Sequence, residues 1–398
     1  MWHISKEAKV KFNECNFFPI YESDEEWEMV FREAKEDGED LYSNLNEELE
    51  EVREELLRIL PHRFFPYIEN GTLNKPTLPK AVREDYLEWM READKAFEKI
   101  LDAANDQTMK ALPYLPTSVK DVFEESLHDS TIQRIIRDGD TLHLYVNTDD
   151  GFSSKSLIHF VFRNIVWEET DQPLVQGQWF IYYELQKTDE GFAFRVLFEC
   201  PEAEWTITMK KLDATYYYHP GFYVKLRDED KLEQTSLEEY VDQLNKDQHY
   251  WFITPHVTAV IQSFTGGIQL ENGKVMIGKS EIVVTVGDEQ YNYDLEENNP
   301  LSFIYTDVFE DPYASLNEPV PTEQLEMATR SDELELQVRA WNTMYANPEE
   351  LADITNRVLW NMEITEDNEM MLYVYINHFY EKGILTEAVI GKYQKLIE

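Results

Sequence analysis

The sequence predicts an α+β protein: N-terminal helices packed on an antiparallel β-meander, then a second, smaller β-rich region and a C-terminal helical hairpin stack. Three observations carry this expectation. Apolar residues recur every three to four positions from Ser23 to Phe123, they alternate every second position over about 131–212, and the helical spacing returns after about 321. Changes of pattern near 220 and 320 divide the chain into 1–220, 221–320 and 321–398.

The first helix signal is Ser23-Asp-Glu-Glu26, a capping box in which the hydroxyl serves a backbone N–H three residues on. Trp27, Val30, Phe31 and Ala34 form its apolar stripe, and Gly38 ends it. Leu41, Leu45, Leu49, Val52, Leu56 and Ile59 mark a second helix with one buried face, stopped by Pro61. Residues 61–78, with three prolines and Asn70-Gly71, read as a connector. Val82, Tyr86, Trp89, Ala93, Phe97, Ile100 and Ala104 predict a long helix from Pro79, and Thr117-Ser118 opens a short one through Phe123. Each helix is apolar on one side only, and the sheet that follows is the expected support.

Strands are expected at 131–137, 141–147, 155–167, 178–187, 192–200 and 204–212. Leu142, Leu144 and Val146 share one face, as do Ile158, Phe160 and Phe162, and Phe192, Phe194, Val196 and Phe198. Asp138-Gly139-Asp140 and Thr188-Asp-Glu-Gly191 supply hairpin turns. The 178–187 strand is apolar on both faces, which predicts a central position.

Ser236-Leu-Glu-Glu239 is another capping box, and a second β-rich stretch runs from Tyr250 to about Tyr305 with a Gly287-Asp288 turn. Residues 322–330 then read as a short helix, and Leu334, Val338, Trp341 and Tyr345 mark the next. Asn347-Pro348-Glu-Glu350 predicts a helix start, with an N-cap and a proline at the first position. Leu372, Ile376 and Phe379 belong to a further helix stopped by Gly383, and Leu385, Val389, Tyr393 and Leu396 to the last.

Composition bounds the function. With 36 Lys plus Arg against 79 Asp plus Glu, the net charge is −43, which disfavours direct binding to nucleic acid or an anionic membrane. Residues 22–58 hold 16 acids and 4 bases, and 281–335 hold 15 acids and a single base, Arg330. Cys15 and Cys200 are far apart, which suits a reducing compartment. Met-Trp-His-Ile-Ser-Lys6 is not the start of a secretory leader, and no run of about 18 apolar residues occurs, so a cytoplasmic location is expected.

No stretch reaches the specificity of a cofactor or metal motif, and none of either is expected. His128-Asp129, at the helix-to-sheet junction, offers a base and an orienter, but Ser130 is too close in sequence to complete a triad. The better reading is that this pair caps and ties the junction. His143 and His159 alternate with apolar positions and could share a face with His128, yet no H-x-H or H-E-x-x-H spacing occurs. His249 and His256 flank Tyr250-Trp251-Phe252, a cluster typical of a core or interface.

Ser126-Leu-His-Asp-Ser130, Phe160-Val-Phe162, Trp179-Phe-Ile-Tyr-Tyr-Glu184, Gly191-Phe-Ala-Phe-Arg-Val-Leu-Phe198 and the helix opening Leu78-Pro-Lys-Ala-Val-Arg83 together resemble a bacterial family. It is the Bacillus-type domain of unknown function numbered four thousand and eighty-five. The resemblance covers about residues 1–215 and implies N-terminal helices followed by an antiparallel sheet in a cytoplasmic bacterial protein. It transfers no activity and no catalytic residue.

The function expected from these readings is a non-enzymatic, acidic protein-binding module of the immunity or inhibitor kind that neutralises a basic protein. Trp167 and Tyr217 are the expected exposed anchors, and Asp307, Glu310 and Asp311 contribute charge from the second acidic stretch. Two alternatives are a DNA mimic or phage counter-defence inhibitor, with carboxylates in place of phosphates, and a hydrolase using His128 and Asp129.

Overall fold

The computed structural model describes residues 2–365 and 368–397, with the Cys15 side chain outside the description. Contacts divide the chain into two compact units, Met1–His219 with Lys246–Val308, and Pro220–Asn245 with Phe309–Glu398. This corrects the three consecutive domains expected. The second β-rich region belongs to the first unit, and the segment after Pro220 joins the C-terminal helices.

The first unit opens with α1 (Lys6–Cys15), α2 (Asp24–Asp37), α3 (Leu41–Ile59), α4 (Phe65–Glu69), α5 (Lys80–Ala111) and α6 (Thr117–Phe123). The caps act as the sequence dictates: Ser23 Oγ accepts from Glu26 N at 3.0 Å, and Gly38 takes the left-handed conformation, φ 75°, that ends α2. Glu26 reaches back to Glu22 N (2.7 Å) rather than to Ser23 N. The connector contains α4, begun by Pro66 in its first turn. As expected, N-terminal helices pack on the sheet, α5 against the strand Trp179–Lys187 and α6 against the strand Ala203–Tyr217, while α3 and α4 contribute to a separate core. Leu49, Leu56, Phe64, Ile68 and Tyr86 form a core with Phe18 and Leu73 that contains no strand residue.

Six strands follow: β1 (Thr131–Asp138), β2 (Thr141–Asn147), β3 (Leu157–Thr170), β4 (Trp179–Lys187), β5 (Phe192–Glu199) and β6 (Ala203–Tyr217). They are all antiparallel, as expected, and they close into a barrel in the order β1-β2-β3-β6-β5-β4, with Thr131 opposite Trp179 at the seam. A register shift between Phe180 and Tyr182 places Phe180 and Leu185 in one core although their sequence parity differs. That bulge is why β4 reads as apolar on both faces. In a closed barrel no strand is central. Phe160, Phe162, Phe194, Phe198 and Trp205 fill the interior, and Ala111, Leu115, Val119, Val122 and Phe123 join the same core from the end of α5, the turn after it and α6.

In the second unit, α7 (Gly221–Asp228) and α8 (Leu237–Gln243) precede the return of the chain to the first. There β7 (Tyr250–Ile253), β8 (Thr258–Ser263), β9 (Ile268–Leu270), β10 (Gly273–Ile277), β11 (Glu281–Val286), β12 (Glu289–Asp294) and β13 (Ile304–Thr306) form one antiparallel sheet, ordered β12-β11-β10-β9-β8-β7-β13. Tyr218 pairs with Thr306, and Tyr145, Leu157 and Tyr217 of the barrel pack on Ile253 and Tyr305 of this sheet.

The second unit continues with α9 (Leu325–Ala328), α10 (Leu334–Ala346), α11 (Ala352–Asn361), α12 (Glu369–Glu381) and α13 (Glu387–Lys392) around Trp341, Val358, Leu372, Phe379 and Tyr393. Helix α11 starts a turn later than Asn347-Pro348 predicts, because the Asn347 amide donates to Thr343 O (3.1 Å) and so closes α10 instead of opening α11.

Candidate functional site

Residues 125–130 join α6 to β1, and their geometry follows from closing the barrel. Asp129 N donates to Phe180 O (2.9 Å) and Phe180 N to Ser130 O (2.8 Å), so the junction is stitched to β4. Asp129 sits at φ 64°, a left-handed position that Asp tolerates better than most residues. His128 Nδ1 donates to Ile181 O at 2.6 Å, which leaves Nε2 facing Asp129 Oδ1 at 3.5 Å. Asp129 therefore stands beside the nitrogen that a general base would turn to its substrate, and the ring is oriented from the Nδ1 side by a main-chain carbonyl instead of a carboxylate. Ser126 Oγ is taken by His128 N (3.1 Å), and Ser130 Oγ is buried without a hydrogen bond.

The loop between β2 and β3 is fixed against this junction by one carboxylate. Glu125 accepts from Ser153 Oγ (2.6 Å), Ser154 N (2.7 Å), Ser154 Oγ (2.7 Å) and Lys155 Nζ (2.8 Å). Burial alone would raise this carboxyl, but those hydrogen bonds outweigh it and hold it down at about 2. The Lys155 side chain is only 4% exposed. The loop carries Phe152, 73% exposed, to a centroid distance of 6.2 Å from the His128 ring. Gly151 permits this approach, since a Cβ there would meet His128 O at 2.7 Å. Gly151→Ala is expected to push the loop off the junction at a cost of about 1–3 kcal/mol. Urea unfolding gives the cost, and loss of the nuclear Overhauser contacts between Phe152 and His128 reports the displacement.

These elements enclose a pocket of about 500 Å³ whose wall includes Ile4, Leu101, Asn105, His128, Phe152 and Tyr182. Ile4 is placed there by a strap. The fully buried carboxylate of Glu184 accepts from His3 N (2.8 Å) and Ile4 N (3.2 Å), while Arg195 donates to Ile4 O (3.3 Å). Nothing local in the sequence signals this, because the partners are some 180 residues apart. The pocket offers an aromatic lip, an imidazole nitrogen and an amide. That set suits reversible binding better than bond cleavage.

His143 and His159 come together elsewhere, on the outer faces of β2 and β3. His143 Nδ1 and His159 Nε2 are 2.9 Å apart, and His159 stacks on Tyr145 at 4.0 Å. His128 has partners of its own and does not join them, and no three His, Cys, Asp or Glu among the described residues group as metal ligands. Burial, then His143, Arg134 and Arg163, pushes His159 down to about 4 from 6.5. The unfolded chain therefore takes up this proton first, and stability falls as pH drops from about 6.5 to about 4. Glu125 adds a second loss between about 4.5 and about 2, as its depressed carboxyl protonates. Urea unfolding at stepped pH is expected to show both losses. His159→Gln removes the first, on the order of 2 kcal/mol after solvent screening of a partly exposed ring.

Of the expected anchors, Trp167 is 47% exposed on β3, beside exposed Val166. Tyr217 is a correction: it is 9% exposed, because it packs against Trp251 in the seam between barrel and second sheet. Asp307 is exposed at the end of the first unit. In the second unit, Glu310 accepts from Gly221 N (3.0 Å) and Asp311 from Tyr313 N (2.9 Å). His249 is exposed, and His256 stacks on Tyr291 at 5.1 Å.

A closed six-stranded barrel plugged by a helix, with a strapped pocket at its junction and a second sheet at its side, defines the class as an α+β barrel protein. The chain belongs to the family described as "Protein of unknown function (DUF4085)", whose model matches residues 4–209. No curated protein and no solved structure matches it significantly. No helix among the described residues is long and apolar enough to cross a membrane.

Proposed function

We propose that this protein is a non-enzymatic, cytoplasmic binding module that presents an acidic face to a basic protein, in the manner of an immunity protein or inhibitor. The observation that carries the reading is the geometry of α3. Leu45, Leu49 and Leu56 are buried, and directly opposite them Glu47, Glu50, Glu51 and Glu54 form an exposed stripe at helical spacing. Among the described residues only Arg53 comes within ion-pairing range of that stripe, on Glu50 at 3.1 Å. Carboxylates set so close repel one another, and a cationic partner relieves the repulsion while accelerating its own association.

The hydrolase reading has less support, since His128 Nδ1 is spent on a main-chain carbonyl and Asp129 stands on the other nitrogen. His128→Ala separates the two. A junction role predicts a loss of stability of about 1–3 kcal/mol from the stranded Ile181 carbonyl and the lost packing, with partner binding retained in the folded protein. Hydrolytic turnover abolished by a variant of wild-type stability would establish the enzyme reading instead.

A further inference from the structure

The barrel contains four arginines, and three of them have carboxylates: Arg137 on Glu168 (2.6 Å), Arg163 on Asp213 (3.0 Å) and Arg195 on Glu204 (3.1 Å). Arg134 is the exception. In a chain carrying 79 acids it pairs with none of them among the described residues. A register shift after Ile132 turns Arg134 outward from β1, where its guanidinium lies over the Tyr145 ring at 3.7 Å and donates to Thr258 Oγ1 at 2.5 Å. Its Nε is buried without a hydrogen bond, and so is Oε1 of the neighbouring Gln133. Burial lowers its pKa, and the groups that oppose this are phenols, of Tyr145, Tyr293 and Tyr217. A half-buried cation with only neutral neighbours is poorly compensated.

Arg134 lines a cavity of about 510 Å³ between β1, the 174–176 loop and the second sheet. Two kinds of wall surround it. Ile135, Leu174, Val175 and Pro255 are apolar, while His256 adds an imidazole whose Nδ1 is engaged by Tyr293 OH at 3.0 Å.

We propose that this cavity binds a small organic monocarboxylate, its head group on Arg134 and its hydrocarbon or aromatic body against Leu174, Val175 and Pro255. A guanidinium suits a planar carboxylate. A single fixed cation in a strongly negative molecule favours one ligand charge over the two of a phosphate, and no glycine-rich nest of backbone N–H groups is present among the lining residues. This inference is independent of the acidic-face reading.

The test is calorimetric titration of the full chain with hexanoate and with benzoate, with inorganic phosphate as the comparison. Saturable binding of at least one carboxylate and none of phosphate is expected. Arg134→Gln should abolish it, but that variant also removes the bond to Thr258, so a second one is needed. Val175 is exposed on the loop, and Val175→Glu places a like charge at the mouth without touching the Tyr145 stack. It is expected to weaken carboxylate binding at least tenfold with an unchanged melting temperature. No saturable binding of either carboxylate, phosphate binding as tight as the carboxylates, or undiminished binding in Val175→Glu would each overturn the proposal. Arg134 would then be a rivet between barrel and sheet.

Discussion

Replacing Phe194 with alanine is expected to destabilise the first unit by about 3–5 kcal/mol. Phe194 is fully buried at the barrel centre, with Phe123, Phe162 and Trp205 at ring-centroid distances of 5.7, 6.1 and 6.1 Å. Those neighbours come from the plugging helix and two different strands, so the cavity cannot close by moving one element. Phe194→Leu, which keeps most of the volume, should cost about half as much or less. Urea unfolding followed by tryptophan fluorescence measures both. A cost below about 1 kcal/mol for the alanine variant would mean that the barrel interior is not one packed core.

Glu125→Ala is expected to cost about as much, by a different route. Its loss leaves the Lys155 ammonium, whose side chain is 4% exposed, without its carboxylate, and strips partners from two serine hydroxyls and Ser154 N. Lys155→Met in the same background should restore part of the stability, because an apolar side chain suits the vacated site. The double variant is therefore expected to be more stable than Glu125→Ala alone, and a strictly additive loss would contradict a coupled pair. The acid limb of stability assigned to Glu125 should vanish in both variants, which a pH series reads independently.

Much of the fold is legible in the sequence because its signals are local. Ser23 and Ser236 cap the helices they announce, and the six expected barrel strands lie within a few residues of those found, with the third extended to Thr170 and the last to Tyr217. Closure is not legible, since inward and outward residues alternate in the same way in an open sheet and in a barrel. The closing contact, Thr131 opposite Trp179, is a long-range pairing. Helix α7 is hidden by the charged run that follows Pro220, and the Asn347 amide serves the preceding helix instead of the next one.

At the site, the junction role of His128 follows from its position between helix and strand. The groups that shape the pocket do not: Glu184 reads as one more acid and Lys155 as one more base, and only burial distinguishes them. Tyr217 shows the converse, an aromatic beside a charged region that folding encloses.

The role proposed for the exposed carboxylates of α3 is to meet a basic protein. It is tested most directly by titrating the full chain with basic proteins encoded beside its gene, at low and at physiological ionic strength. Glu47, Glu50, Glu51 and Glu54 are changed together to Gln in one variant, and Asp288, Glu289, Asp294 and Glu296 to the matching amides in a control of equal charge. Saturable binding is expected that weakens with salt, falls roughly tenfold or more in the α3 variant, and is little changed in the control. Equal losses in both variants, or no saturable binding at low salt, would contradict it.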